Sequence, residues 1–332
     1  MDLSIVTTLY ASAPYLEEFY ARACAVAEKV TRDFEIVFVN DGSPDNSLEI
    51  ALSLYRKDAR VRVVDLSRNF GHHKAMMTGL AHARGDMVFL LDSDLEEEPE
   101  LLHTFYEKLQ QTGADVVFGV QQKRKGRAFE RISGSLYFKV FNLLSTDPIP
   151  PNLTTARLMK CEYVAALIRH QEREFVMSGL WALTGFKQVP ITVKKHHKGE
   201  SSYGLRRKLS HLVNSVTSFS GKPLVLIFYL GSILSLISGV AALDLIIRRI
   251  FFGVMLQGWA SLIVSIWLLS GITIFCLGVI AIYLSKIFIE VKRRPYTIIR
   301  DVYETKELPS SLGKRAFYDA PEEKQADSDG RC

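Results

Sequence analysis

Two acidic clusters stand at the ends of strand-like runs. Val39-Asn-Asp41-Gly-Ser-Pro-Asp45 closes the apolar segment Glu35 to Val39, and Leu90-Leu-Asp92-Ser-Asp94-Leu closes Met87 to Leu91. Residues at i and i+2 of an extended strand point the same way, so Asp92 and Asp94 can converge on one cation. A hard cation such as Mg²⁺ or Mn²⁺ takes one or two carboxylates and fills its shell with substrate phosphate oxygens. Loss of a diphosphate leaving group needs that neutralisation. Asp41, at the end of a neighbouring strand, could accept hydrogen bonds from a base or ribose. Each cluster alone has a plainer explanation, because an Asp-x-Asp pair is common and Asp-Gly suits a turn with an Asx cap. Both at strand ends of one domain point to a site.

Other charged groups fit the architecture without chemistry. Glu96, Glu97, Glu98 and Glu100 flank Pro99, where acids in a first helical turn complement the helix dipole; Glu96 is the one nearest the acidic pair. His72 and His73 are adjacent, and neighbours on a helix face different directions, so a shared metal is not expected. The run Lys123 to Arg127 reads as a solvated loop that could also supply cations to a phosphate.

The elements that must position the acids are legible as an alternation. Apolar runs at Leu3 to Leu9, Glu35 to Val39, Val61 to Leu66, Met87 to Leu91 and Asp115 to Gly119 are separated by helical segments at Tyr15 to Val30, Pro44 to Tyr55 behind Ser43, His72 to Ala83 and Pro99 to Leu109. Such alternation implies right-handed βαβ units and a mostly parallel sheet, whose ligands lie beyond the carboxyl ends of the strands. No G-x-G-x-x-G follows the first run and no G-x-x-x-x-G-K-[ST] occurs, which argues against a dinucleotide oxidoreductase and a P-loop nucleotidase.

The chain has 332 residues, 48% hydrophobic and 23% charged, with a net charge of +5. The hydrophobicity is unevenly placed. Residues 224–243 and 250–285 contain no Asp, Glu, Lys or Arg, and each can cover the ~20 residues of a membrane span. The first crossing is expected at 224–243 and the second at 261–284, with 251–258 as an interfacial turn. Arg206, Arg207, Lys208 and Lys222 precede the first, and Lys286, Lys292, Arg293, Arg294 and Arg300 follow the second, whereas Arg248 and Arg249 lie between them. That bias leads to the expectation that both termini and the first domain lie on the cytoplasmic side of the plasma membrane. The strand-like opening has no basic n-region, so no signal peptide is expected. Cys24, Cys161, Cys276 and Cys332 are scattered, without metal or redox spacing.

The expected organisation is an α/β domain over 1–205, an amphipathic juxtamembrane helix over 206–222, a two-span hairpin over 223–285, a basic cytoplasmic segment over 286–303 and a disordered polar tail over 304–332. The helix over 206–222 could lie in the membrane interface or pack on the soluble domain.

VNDGSPDNS at 39–47, LSRNFG at 66–71 with Ala75 and Gly79 beyond it, LDSDLEEEPE at 91–100 and KGESSYGLRRKL at 198–209 together resemble the family 2, GT-A glycosyltransferases. Within that family the chain is similar to the polyisoprenyl-phosphate glycosyltransferases, the GtrB-like and dolichol-phosphate-mannose-synthase-like enzymes, over about residues 1–300. The resemblance implies an inverting, Mg²⁺- or Mn²⁺-dependent transfer of a hexose from a nucleotide sugar, UDP-glucose foremost, to a polyprenyl phosphate at the cytoplasmic membrane face. It also implies a homo-oligomer with no nucleic-acid partner. It assigns Asp94 and Asp92 to the metal and catalysis with Arg157, and Leu9, Tyr10, Asp41, Asp92 and Gln121 to the nucleotide sugar. His196, Lys198 and Ser201 are assigned to the acceptor phosphate.

Several positions depart from the family pattern. Thr155 stands where the family has an Asp often taken as catalytic base, Glu96 where D-x-Q has Gln, Gln121 where Arg is usual, and His196 and Ser202 where the acceptor loop has Arg and Lys. A general base is needed to deprotonate a hydroxyl, but a phosphate monoester with a second pKa of about 6 is already ionised near neutrality. Thr155 therefore suits a lipid-phosphate acceptor better than a sugar hydroxyl. Lys123, Arg124, Lys125, Arg157, Lys194, Lys195 and Lys198 could replace the missing cations. The departures also keep open a catalytically silent membrane protein that binds nucleotide sugars, and a transferase with a hydroxyl acceptor.

Overall fold

A computed structural model of the chain describes residues 1–121, 152–194, 217, 221–252 and 258–305. Strand β1 (Leu3–Leu9), helix α1 (Ala13–Val30), β2 (Phe34–Asn40), α2 (Ser47–Lys57), β3 (Val61–Leu66), α3 (His72–His82), β4 (Met87–Leu90) and α4 (Leu101–Thr112) follow the expected alternation. Beyond them come β5 (Val116–Gln121), β6 (Leu153–Lys160), α5 (Cys161–Leu167), α6 (Met177–Leu183) and β7 (Gln188–Val193). The long helices α7 (Lys222–Phe252) and α8 (Trp259–Val291) precede a last strand, β8 (Ile299–Tyr303).

The strands form one eight-stranded sheet in the order β7-β5-β6-β4-β1-β2-β3-β8. β6 and β8 run antiparallel to their neighbours and the other pairings are parallel. Every residue of β1, β2 and β3 is buried, as continuous apolar runs should be when helices cover both faces of a parallel sheet. Alternate residues serve opposite layers. Ile5, Ile36, Phe38 and Val63 meet Leu16, Phe19, Leu54 and Phe105 of α1, α2 and α4. Val6, Val37, Val39 and Val64 meet Met76, Leu80, Tyr163 and Leu180 of α3, α5 and α6. Gly79 lets α3 lie directly on the sheet, since a Cβ there would come within 2.5 Å of Val6 and 2.8 Å of Val39.

Three features differ from the sequence expectation. β4 stops at Leu90, so Asp92 and Asp94 occupy the turn beyond it, and the turn, not strand alternation, sets their directions. α7 runs on to Phe252, through part of the expected interfacial turn, and α8 to Val291. The stretches Lys222–Val240 and Ser265–Val291 are long and apolar enough to cross a membrane, and neither is buried in the protein. Third, the end of the expected juxtamembrane segment is β8, paired with β3. Its five residues, Ile299-Arg-Asp-Val-Tyr303, carry two adjacent charges and no period-2 pattern, so read locally they resemble a solvated linker.

β8 runs into a buried polar cluster at the amino ends of the strands. Glu35 Oε1 accepts hydrogen bonds from Ser4 Oγ at 2.6 Å and the Arg84 amide at 2.8 Å, and Glu35 Oε2 accepts one from Arg62 at 2.9 Å. Arg62 and Arg84 both reach Glu304, at 2.8 and 2.6 Å. Glu304 therefore belongs to the folded domain; the expected tail from residue 306, the expected juxtamembrane helix apart from residues 217, 221 and 222, and His196, Lys198 and Ser201 lie outside the described residues. Near the end of α8, Glu290 accepts a hydrogen bond from the Arg173 amide at 2.6 Å and Lys286 pairs with Glu174 at 3.4 Å. These contacts dock the α/β domain on the second long helix.

Candidate active site

The carboxyl ends of β1, β2, β3 and β4 converge on one edge of the sheet. Their turns are tied by short polar side chains whose local hydrogen bonding suits irregular backbone. Ser93 Oγ donates to the Thr8 carbonyl at 2.9 Å and shares a hydroxyl–hydroxyl hydrogen bond with Ser12 Oγ at 2.9 Å. The Ser12 amide donates to Ser47 Oγ at 3.0 Å, the Ala11 amide to Ser43 Oγ at 2.8 Å, and the Ala13 amide to Asp45 at 3.1 Å. Asp45, and not the expected Ser43, organises the start of α2. Burial opposes its ionisation, yet hydrogen bonds from Ser43, Ser47 and Ala13 bring its pKa down to about 2.

A depressed carboxylate pKa contributes stability above the unfolded-state value, and that contribution disappears as pH falls through the folded value. With an ordinary value of 3.8 and a folded value of about 2, the chain is expected to lose stability between about pH 4 and pH 2. Asp45→Asn should flatten that part of the profile in acid-denaturation curves. An unchanged slope would show that Asp45 is not the group responsible.

Asp41 is 2% exposed. Its two carboxylate oxygens accept the backbone amides of Phe70 at 2.7 Å and Gly71 at 3.0 Å, so it orders the β3–α3 loop as well as facing the sheet edge. Burial pushes its pKa up against those amides and the nearby His72 and Arg68. Gly42 has φ +59, and a Cβ there would overlap the backbone of Arg68 and Asn69; the Asp41-Gly42 pair is needed for this close crossing.

Asp92 and Asp94 are half-buried. Asp94 Oδ1 accepts the Glu96 amide at 2.9 Å, closing an Asx turn that carries Leu95 at φ +59. A left-handed leucine is strained backbone of the kind that gathers at functional sites, and Ala11 at φ +53 and Asn152 at φ +62 stand on the same edge.

His72 was not legible as a site residue. At the first turn of α3 it places Nε2 3.2 Å from Asp92 Oδ1 and Nδ1 3.0 Å from Thr8 Oγ1, among Asp41, Asp92 and Asp94. Burial alone would lower its pKa, but the hydrogen bond and charge of Asp92, with the charges of Asp41 and Asp94, raise it. The available signal was its place right after the LSRNFG run, at a helix start on the ligand edge.

Glu97 is completely buried and accepts the Ala156 amide at 2.7 Å. It ties the acidic turn to β6 beside Thr155 and does not serve a helix terminus, because α4 starts later, at Leu101. Glu100 does sit on the surface, paired with Arg22.

The remaining assignments divide. Tyr10 is 55% exposed at the rim. Leu9 is a core residue that faces the edge only through its carbonyl, which accepts the Asp41 amide at 3.0 Å. Gln121 ends β5 next to Asn152. Arg157 is 1% exposed, opposite Leu90 in the sheet register, with its guanidinium on the face of Trp181 at 3.0 Å. Burial brings its pKa down to about 9.

The sequence profile of glycosyl transferase family 2 matches residues 4–169. A Mycobacterium tuberculosis (strain CDC 1551 / Oshkosh) protein named only as a glycosyltransferase is 58% identical over 320 residues, 96% of this chain and 93% of its own. A Shigella flexneri protein, named as an SfII prophage-derived bactoprenol glucosyl transferase, is 33% identical over 90% of this chain and 98% of its own length. Among solved structures, mannosyl-3-phosphoglycerate synthase from Rubrobacter xylanophilus aligns with a TM-score of 0.44 at 18% identity, over 64% of this chain and 71% of that one. The chain belongs to glycosyl transferase family 2, and is a transferase of sugars.

Proposed function

We propose that the protein transfers a hexose, glucose from UDP-glucose foremost, to a polyprenyl phosphate at the cytoplasmic face of the membrane. The observation that carries this reading is the joining, in one chain, of an acidic turn at the ligand edge of the sheet to two unburied apolar helices. A water-soluble acceptor would require no such helices. The bactoprenol named for the Shigella relative supports the same acceptor class.

Asp92 and Asp94 fit a divalent cation. Among the described residues no group of three or more His, Cys, Asp or Glu is arranged to hold a metal; a cation held by these two carboxylates would draw the rest of its shell from phosphate and water. When bound, such an ion would neutralise charge on the departing diphosphate. The protein's own contributions are positional. The 68–71 loop and Asp41 frame the nucleoside end, His72 fixes Asp92, and Glu97 sets the turn against β6. Thr155 leaves the acceptor phosphate free of a competing negative charge. Homo-oligomerisation and the cytoplasmic placement of both termini remain part of the same proposal.

The test is release of UDP, GDP, CDP or dTDP from a panel of nucleotide sugars mixed with the full chain and undecaprenyl phosphate. UDP release that depends on the lipid phosphate is expected, and Thr155→Ala should lower it by at most about tenfold, or ~1.4 kcal/mol. Transfer to a free oligosaccharide but not to the lipid, with a rate that vanishes in a Glu96, Glu200 or His196 variant, would overturn the reading.

A further inference from the structure

The segment after the second apolar helix reaches the site from outside it. Tyr296 is buried against α3 and its neighbours, and Thr297 hydrogen-bonds Thr78 of α3 at 2.9 Å. The Ile298 carbonyl accepts the Ser67 amide at 2.9 Å, and β8 then pairs with β3, with a register shift between Asp65 and Leu66. At that irregularity sits Arg300. Its Nη2 donates to the Ser67 carbonyl at 2.8 Å and its Nη1 lies 3.3 Å from Asp65 Oδ2.

Those two acceptors lead to the same place by different routes. Ser67 opens the loop whose Phe70 and Gly71 amides hold Asp41. Asp65 accepts Asn40 Nδ2 at 2.7 Å, and Asn40 Oδ1 accepts the Ser43 amide at 3.2 Å, which sets the turn containing Asp41. A surface ion pair would need one partner and would contribute little. The Arg300 side chain is itself 56% exposed, so its role rests on geometry and not on a buried charge: its guanidinium spans a 2%-exposed carboxylate and a backbone carbonyl, and this planar two-acceptor fork ties the positions of two loops together.

We infer that Arg300 is a positioning residue for nucleotide binding, through which the chain leaving the membrane helices sets the two loops around Asp41. The inference rests on the nucleotide-sugar reading for its functional consequence, but not for its structural one.

Amide hydrogen exchange of the full chain in detergent or nanodiscs separates the two. Arg300→Ala should speed exchange of the 67–71 and 41–44 amides by roughly tenfold, leaving β1 and β4 protected. Arg300→Lys should restore only part of that protection, because an ammonium does not present the planar fork. In turnover, KM for the nucleotide sugar should rise about fivefold with kcat within about twofold. Unchanged exchange in these loops, or a loss of protection spread evenly over the sheet, would overturn the positioning role. A local exchange change in a chain whose wild type binds none of the nucleotides would uphold the positioning and count against the nucleotide-sugar reading instead.

Discussion

Asp94→Ala is expected to reduce transfer by about a thousandfold or more, equivalent to roughly 4 kcal/mol of lost transition-state stabilisation. The residue is half-buried in a turn outside the core, so the fold should survive, with an unchanged thermal midpoint. The turn complicates the alanine result, because Asp94 Oδ1 also accepts the Glu96 amide. Asp94→Asn resolves this: an amide oxygen can keep that hydrogen bond while removing the charge a cation needs. Both variants should be inactive, and EDTA should abolish wild-type turnover. An active Asn variant would mean that turn geometry, and not metal binding, is what Asp94 supplies. Full activity in EDTA would end the metal-dependent mechanism.

The largest effect on stability is expected far from this edge. Glu35 is 1% exposed and Arg62 5%, and the Glu35 carboxylate satisfies Ser4, Arg62 and the Arg84 amide together. Glu35→Ala leaves a buried guanidinium with one counter-charge fewer, a loss of about 3–5 kcal/mol. Because Arg62 also holds Glu304, the β8 strap should loosen with it. The exposed pair between Arg60 and Glu28 is the control, and Glu28→Ala should cost less than about 1 kcal/mol. Denaturant midpoints for the full chain measure both. Equal small losses would show that the buried cluster is dispensable.

Features of this chain that are built from sequence neighbours are visible in its sequence, and features built from distant partners are not. The first four strands and helices were legible because each announces itself within a few residues, as an apolar run long enough for a doubly covered strand or as a helical period with its punctuation. The acidic ends of β2 and β4 were legible for the same reason, since strand ends in such a sheet are ligand positions whatever the rest of the chain does. The two apolar helices needed only composition and length.

The rest was set by partners distant in the chain. Glu35, Arg62, Glu97 and Arg157 are of types that usually stay in water, and nothing beside them in sequence says that Ser4, Glu304, the Ala156 amide or Trp181 will surround them. His72 became a site residue only when Gly79 let α3 settle on β1 and β2, bringing its first turn to Thr8 and Asp92. β8 is the clearest case. Ile299-Arg-Asp-Val-Tyr303 has the charge of a linker and becomes a strand because the open edge of β3 offers unpaired backbone groups, a demand no local pattern records. Short-range pattern is enough to specify the mostly parallel sheet, the acids at its ligand edge and the two apolar helices, because each is written within a few neighbouring residues. Which charges are buried, which histidine meets the acidic turn and how the chain beyond the apolar helices returns to pair with β3 depend on the folded arrangement, because each requires partners separated by a long stretch of chain.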